Sequence, residues 1–258
     1  MNFNNRRAFL KQAATIAGAF SVNSLFNEVH GADFKNATKK VNQLLPNQIT
    51  EDEDYWGTIQ RCYSVNPSII NLNNGGVSPS PIVVQQAVER YNQLANEGPS
   101  YFMWRILDQG REPLREKLAN LAGVLPEEIA INRNATEALN TIILGLDLKS
   151  GDEVIGTKQD YPHMIQAYQQ RVLREGIVYK QLNFDLPIED DTQIVRAYEA
   201  AITAKTKLIH VTHMINWVGQ IMPVQKICDM AHAKGIEVIV DGAHSFGLLD
   251  FKIADLHI

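Results

Sequence analysis

Ile236-Glu237-Val238-Ile239-Val240-Asp241-Gly242-Ala243-His244-Ser245 is an apolar run that ends on a carboxylate and then turns. β-Branched residues dominate the run, which suits a strand, and its nearly continuous apolar character suits burial on both faces, as in a parallel sheet. A carboxylate at the carboxyl end of a buried strand is costly to desolvate unless a cation or strong donor meets it there. The natural partner for Asp241 is a protonated heterocycle such as a pyridinium, which would favour the ionised carboxylate and be kept protonated by it.

Upstream of this run, strand-like and helix-like segments alternate. Strands are expected at residues 129–132, 153–157, 177–183, 207–212 and 236–240. Helices are expected at 137–146, 163–175, 191–203 and 224–234. Five short apolar strands interleaved with helices predict an α/β fold with a three-layer, mostly parallel, doubly wound sheet. Earlier in the chain, Ser80 and Pro81 open a helix whose apolar face is Val84, Ala87, Val88, Tyr91, Leu94 and Ala95, stopped at Gly98-Pro99. A second helix carries Leu114, Leu118, Leu121 and Ala122 and ends at Gly123.

The chain has 258 residues, 45% of them hydrophobic, enough for one large core or a domain and a half. With a formal net charge of −5 and no long basic run, a nucleic-acid partner is not expected. Asn5-Arg6-Arg7-Ala8-Phe9-Leu10-Lys11 followed by Ala13–Phe20 looks like a twin-arginine export signal, with residues 1–32 as the signal peptide and the periplasm as destination. The bland reading is an arginine pair before an amphipathic helix. Ser21, Asn23 and Asn27 interrupt the apolar stretch, which is too short for a stable membrane anchor. Residues 33–98 read as an N-terminal arm and helix, the polar part being either an arm packed on a partner subunit or a flexible linker. Residues 99–258 read as the large domain. Cys228 shares a helical face with Val224, Ile227 and Ala231 and is expected to be a buried thiol, whereas Cys62 lies in a loop-like stretch.

In sheets of this kind ligands bind outside the carboxyl ends of the strands, and the chemistry-bearing residues fall there. After the first expected strand comes Asn134-Ala135-Thr136-Glu137, where Thr136 is either an N-cap or part of a phosphate cradle built on free helix N–H groups. After the second comes Asp160-Tyr161-Pro162-His163, where Tyr161 either lies on a heterocyclic ring or is a solvated turn tyrosine. After the fourth comes Thr212-His213-Met214-Ile215-Asn216, where Asn216 either binds a ring oxygen or holds a turn. His213, beside an apolar strand, reads as a satisfied core histidine. His210, His213, His232, His244 and His257 show no metal-binding spacing, so no metal is expected.

The ordered set Asn134-Ala135-Thr136-Glu137, Asp160-Tyr161-Pro162-His163, Thr212 to Asn216 with Gly219, and Asp241-Gly242-Ala243-His244 resembles the class V aminotransferase superfamily, in particular its isopenicillin-N epimerase-like branch, related to the cysteine desulfurases. The resemblance spans about residues 65–258 and implies the large domain of the fold type I pyridoxal 5'-phosphate (PLP) enzymes, incomplete at its C-terminus. It implies a PLP enzyme acting on an amino-acid-like substrate, epimerase- or aminotransferase-like, and a homodimer in full-length form. Cofactor contacts would come from Ala135, Thr136, Glu137, Tyr161, Asn216, Asp241 and His244, with Asn73, Asn74 and Gly75 lining the substrate pocket. Asp241 would pair with the pyridine nitrogen, Tyr161 would stack on the ring, and His244 and Asn216 would sit by its hydroxyl. The lysine that forms a Schiff base with PLP lies beyond the Asp-bearing strand in the family. The sequence reaches Ile258 before a matching segment, and Lys252 reads as a loop lysine, so the chain is expected to be an N-terminal portion, inactive alone. The alternatives are a vestigial PLP-binding protein and a desulfurase-like lyase.

Overall fold

The computed structural model describes residues 39, 46–66 and 68–258, so the export-signal reading lies outside the described residues. The chain forms two compact units, Met1–Met103 and Trp104–Ile258. In the first, helices α1 (Pro46–Thr50), α2 (Glu53–Arg61) and α3 (Ile82–Glu97) are described. Pro81, rather than Ser80, stands at the N-cap of α3, and its ring presets the extended backbone that enters the helix.

The second unit contains α4 (Arg111–Ala122), α5 (Ala135–Gly145), β1 (Glu153–Thr157), α6 (Pro162–Glu175), β2 (Val178–Leu182), α7 (Asp191–Ala201), β3 (Thr206–Thr212), α8 (Val224–His232) and β4 (Glu237–Asp241). The strands form one parallel sheet in the order β2-β1-β3-β4. From β1 onward every expected strand and helix is present, with ends shifted by a residue or two. The exception is the strand expected at 129–132. Ile129 has extended backbone (φ −102°, ψ 117°), but the segment pairs with no strand among the described residues, and Ile131 is exposed. Extended backbone becomes a strand only when a neighbour completes its hydrogen bonds, so the sheet has four strands, not five.

The layers follow from side-chain alternation along the strands. Val154, Leu208 and Ile239 pack with Leu139 and Ile143 of α5 and Met164, Ala167 and Tyr168 of α6. Ile155, Ile209, Val211 and Val238 pack on the other face with Ile194 and Tyr198 of α7 and Val224, Ile227, Cys228 and Ala231 of α8. Cys228 is buried as expected, and both cysteines are free. Gly123 caps α4 in the left-handed region (φ 73°), accepted where a β-carbon would be strained.

Two ionic anchors lie at the end of this unit opposite the carboxyl edge of the sheet, one between helices and one at the strand starts. Arg171 of α6 donates through Nη1 to the Ile143 carbonyl at the end of α5 (2.6 Å) and pairs with Glu175. Glu153, at the start of β1, accepts from Lys180 (2.7 Å) and from the Thr203 and Thr206 hydroxyls. These donors, Lys180 first, hold the Glu153 carboxyl below its ordinary range.

Candidate functional site

Each strand–helix connection leaves a helix N-terminus at the carboxyl edge of the sheet, because the helix must run back to start the next parallel strand. Residues 208, 210 and 212 of β3 and residues 239 and 241 of β4 alternate onto the face covered by α5 and α6. The carboxyl corner of that face therefore gathers the N-termini of α5 and α6 and the ends of β3 and β4.

Asp241 is the last residue of β4, 5% exposed and in register with Thr212. One of its oxygens accepts the Ala243 N–H at 3.0 Å, and among the described residues it has no cationic partner. Its carbonyl ties down the next turn by accepting the His213 N–H at 2.9 Å.

At the start of α5 the N-cap is Asn134, not Thr136. The Asn134 side chain accepts from the Glu137 N–H at 2.9 Å, and Glu137 in return accepts the Arg133 N–H at 2.7 Å. This reciprocal cap commits Glu137 to holding the turn. It leaves the N–H groups of Ala135 and Thr136 without an acceptor among the described residues, at the positive end of an eleven-residue helix. Two free amides beside a threonine hydroxyl suit a phosphate group.

Tyr161 is the N-cap of α6, held by Pro162 at the first helical position. Its ring is partly exposed and meets His163 edge-on at 5.1 Å. Asn216 stands at the exposed tip of a hairpin closed by Met222 N–H to His213 carbonyl, Ile215 N–H to Gln220 carbonyl and Gly219 N–H to Ile215 carbonyl bonds. His244 lies half-buried in the turn after β4, with no hydrogen bond among the described residues. The structure thus brings Ala135, Thr136, Tyr161 and Asp241 to one corner by connectivity, and leaves the Asn216 side chain projecting from a hairpin. Asn73, Asn74 and Gly75 belong to the other unit, where Asn71 and Asn74 hold an exposed turn through Asn71 Nδ2 to Asn74 Oδ1 (2.8 Å) and Asn74 Nδ2 to Asn71 carbonyl (3.1 Å) bonds.

Two residues with no role assigned from sequence stand at the centre of this edge. Asp160, 1% exposed, accepts the Thr157 N–H at 2.6 Å and the Thr212 hydroxyl at 2.8 Å. Beside it, the space over Gly156 is filled by the Tyr179 hydroxyl and the Asp160 carboxylate. Burial, then the Asp160 charge, drives the Tyr179 and Tyr168 hydroxyls far above their ordinary range, so both stay protonated. The signal in the sequence was two polar residues, Thr212 and Asp160, at or just past strand ends; their pairing spans too much chain to read directly.

His213 departs from the satisfied core histidine expected. It is 5% exposed and sits edge-on to Phe251 (4.9 Å), and its Nδ1 has no partner among the described residues. Burial lowers its proton affinity, favouring the neutral ring. By strand alternation it faces the α7/α8 layer, away from Asp241.

Lys252 is engaged elsewhere. Its Nζ donates to the Leu121 carbonyl at 2.8 Å, at the C-terminus of α4, and its methylenes cover Gly123. That is a helix-capping role, with the cation at the negative end of the dipole.

A ligand with an anion at one end and a protonated ring nitrogen at the other fits this donor set: free helix amides for the anion, and an unpaired buried carboxylate for the nitrogen. No cluster of metal-ligating side chains occurs among the described residues.

Residues 70–258 match the family model described as aminotransferase class-V. The chain is 28% identical over 204 residues to isopenicillin N epimerase of Amycolatopsis lactamdurans, covering 78% of this chain and 51% of that protein. It is 29% identical over 185 residues to a probable cysteine desulfurase of Synechocystis, covering 69% and 43%. The solved cystine C–S lyase C-DES, in complex with cysteine persulfide, superposes with a TM-score of 0.64 at 27% identity over 72% of this chain and 50% of that one. A cysteine desulfurase of Escherichia coli shares the fold, with a TM-score of 0.65 at 18% identity over 78% of this chain and 52% of that one. The chain spans about half the length of the curated relatives it matches.

Proposed function

Because the chain belongs to the aminotransferase class-V family, a PLP-dependent family, we propose that it forms the cofactor-binding part of a PLP enzyme acting on an amino-acid-like substrate. The observation that carries this reading is Asp241, buried at the end of a parallel strand with no cation of its own among the described residues. Its carboxylate would hold the pyridine nitrogen and keep it protonated. The Ala135 and Thr136 N–H groups and the Thr136 hydroxyl would hold the phosphate, with Glu137 fixing their turn. Tyr161 would cover the ring face, excluding water from it. His244 and Asn216 would hydrogen-bond at the ring hydroxyl. When bound, PLP supplies an electron sink for negative charge developing at the substrate α-carbon.

For the whole protein, the reading is an epimerase- or aminotransferase-like reaction, supported by the isopenicillin N epimerase relatives. The second reading, a desulfurase-like lyase, is supported by the desulfurase relatives and by the likeness to C-DES. The lysine that binds PLP covalently is proposed to lie outside this chain, since Lys252 caps α4. We further propose homodimerisation of the whole protein, with Asn73, Asn74 and Gly75 contributing to substrate binding, and export by the twin-arginine route suggested by Arg6 and Arg7. The decisive test is PLP titration of the whole protein, followed by visible absorbance. The expected result is a protein-bound band that Asp241→Asn abolishes or weakens at least tenfold in affinity. A wild-type protein with no such band refutes the proposal.

A further inference from the structure

We infer that Asp160 is a positioning residue for the cofactor edge, acting through Thr212 on Asp241; this rests on the PLP reading above. Asp160 is more deeply buried than Asp241 and, like it, has no cationic partner among the described residues. A buried carboxylate with no cation is expensive in a fold. Here two of them, 1% and 5% exposed, flank one strand end.

The geometry gives Asp160 a definite task. One oxygen accepts the Thr157 N–H at the end of β1 (2.6 Å) and the other the Thr212 hydroxyl at the end of β3 (2.8 Å). It therefore clamps two adjacent strand ends at the carboxyl edge. Thr212 is the in-register neighbour of Asp241, on the same face of the sheet. Asp160 also directly precedes Tyr161, the N-cap of α6. One side chain thus fixes the start of the helix that carries Tyr161 relative to the strand that sits beside Asp241.

The consequence is a series connection: Asp160 influences the ligand only by way of the Thr212 hydroxyl and the strand ends it orders. Asp160→Asn keeps the shape but has one acceptor oxygen in place of two, so the bonds accepted from the Thr157 N–H and the Thr212 hydroxyl cannot both be kept. Thr212→Val keeps the volume and removes the link. PLP affinity is measured in the whole protein by absorbance titration well below the melting temperature, alongside thermal melting of the PLP-free forms. Each single variant is expected to bind PLP about tenfold more weakly, the loss of one hydrogen bond to a charged group, and the double variant no more weakly than the singles. Asp160→Asn or Thr212→Val binding PLP as the wild type does, whatever the melting temperature, overturns the inference. So do losses that multiply in the double variant. A wild type that binds no PLP overturns the cofactor reading itself, and this inference with it.

Discussion

Replacing Gly156 with alanine tests the packing that seats Asp160. A β-carbon there would lie 2.8 Å from Asp160 Oδ2, with the Tyr179 hydroxyl oxygen nearer still, and real β-carbons do not approach so closely. Neither neighbour can yield freely: Asp160 is held by Thr157 and Thr212, and the Tyr179 ring is stacked on Tyr168 at 4.8 Å. Overpacking of this kind costs about 1–3 kcal/mol. Displacing Asp160 from one of its donors adds about 1.5–3 kcal/mol. A total near 4 kcal/mol lowers the melting temperature of a unit this size by roughly 10 °C. Tyr179→Phe alone removes the hydroxyl that shares the space over Gly156 with the Asp160 carboxylate, and it serves as the reference for the double variant. Tyr179→Phe in the Gly156→Ala background removes the nearest clash and restores roughly half of the loss. Circular-dichroism melts of the four proteins measure this cycle. A Gly156→Ala protein that melts within 1 °C or so of wild type, or a double variant as unstable as Gly156→Ala alone, refutes the packing argument.

The Glu153 carboxyl is held below its ordinary value, so its contribution to stability is full above the unfolded value of 4.5 and is lost as pH falls through the lower folded value. Urea midpoints of Glu153→Gln should therefore fall below wild type at neutral pH and converge on it in acid. The Cys228 thiol is buried and raised to about 11, so it resists alkylation at pH 8 in the native protein and reacts after denaturation, which peptide mapping reads directly. Lys252→Met removes the cap on α4 and costs about 0.5–1 kcal/mol in a urea melt, while PLP affinity of the whole protein stays within about twofold of wild type. A large loss of PLP binding there would return Lys252 to the cofactor site.

Local pattern carried most of the fold. β1 to β4 and the helices between them are short runs whose periodicity and bounding turns are set by near neighbours, so they can be read one at a time. Residues 129–132 have the same local character, yet strand formation depends on a partner, which no local pattern contains. The place of Asp241 at the end of a buried strand was legible because a carboxylate closing an apolar run is conspicuous by itself. Of the two readings of Thr136, the N-cap one gives way to Asn134, whose side chain accepts the Glu137 N–H, a competition decided by geometry at the turn. Asp160 and Thr212 stand at or just past two strand ends and meet only because parallel strands bring those ends side by side. His213 looked like an ordinary core histidine, and only the packing of Phe251 and the strand alternation show which layer it enters and that its Nδ1 goes unpaired.

Helix α5 is pinned at one end and open at the other: Arg171 grips the Ile143 carbonyl in its last turn, while Ala135 and Thr136 keep two amides uncommitted among the described residues. Solvent deuterium should enter those two positions quickly and the pinned end slowly. An arriving phosphate would silence exchange at the open end alone, so the helix carries its own occupancy gauge, readable amide by amide in a protein that has not turned over a single substrate molecule.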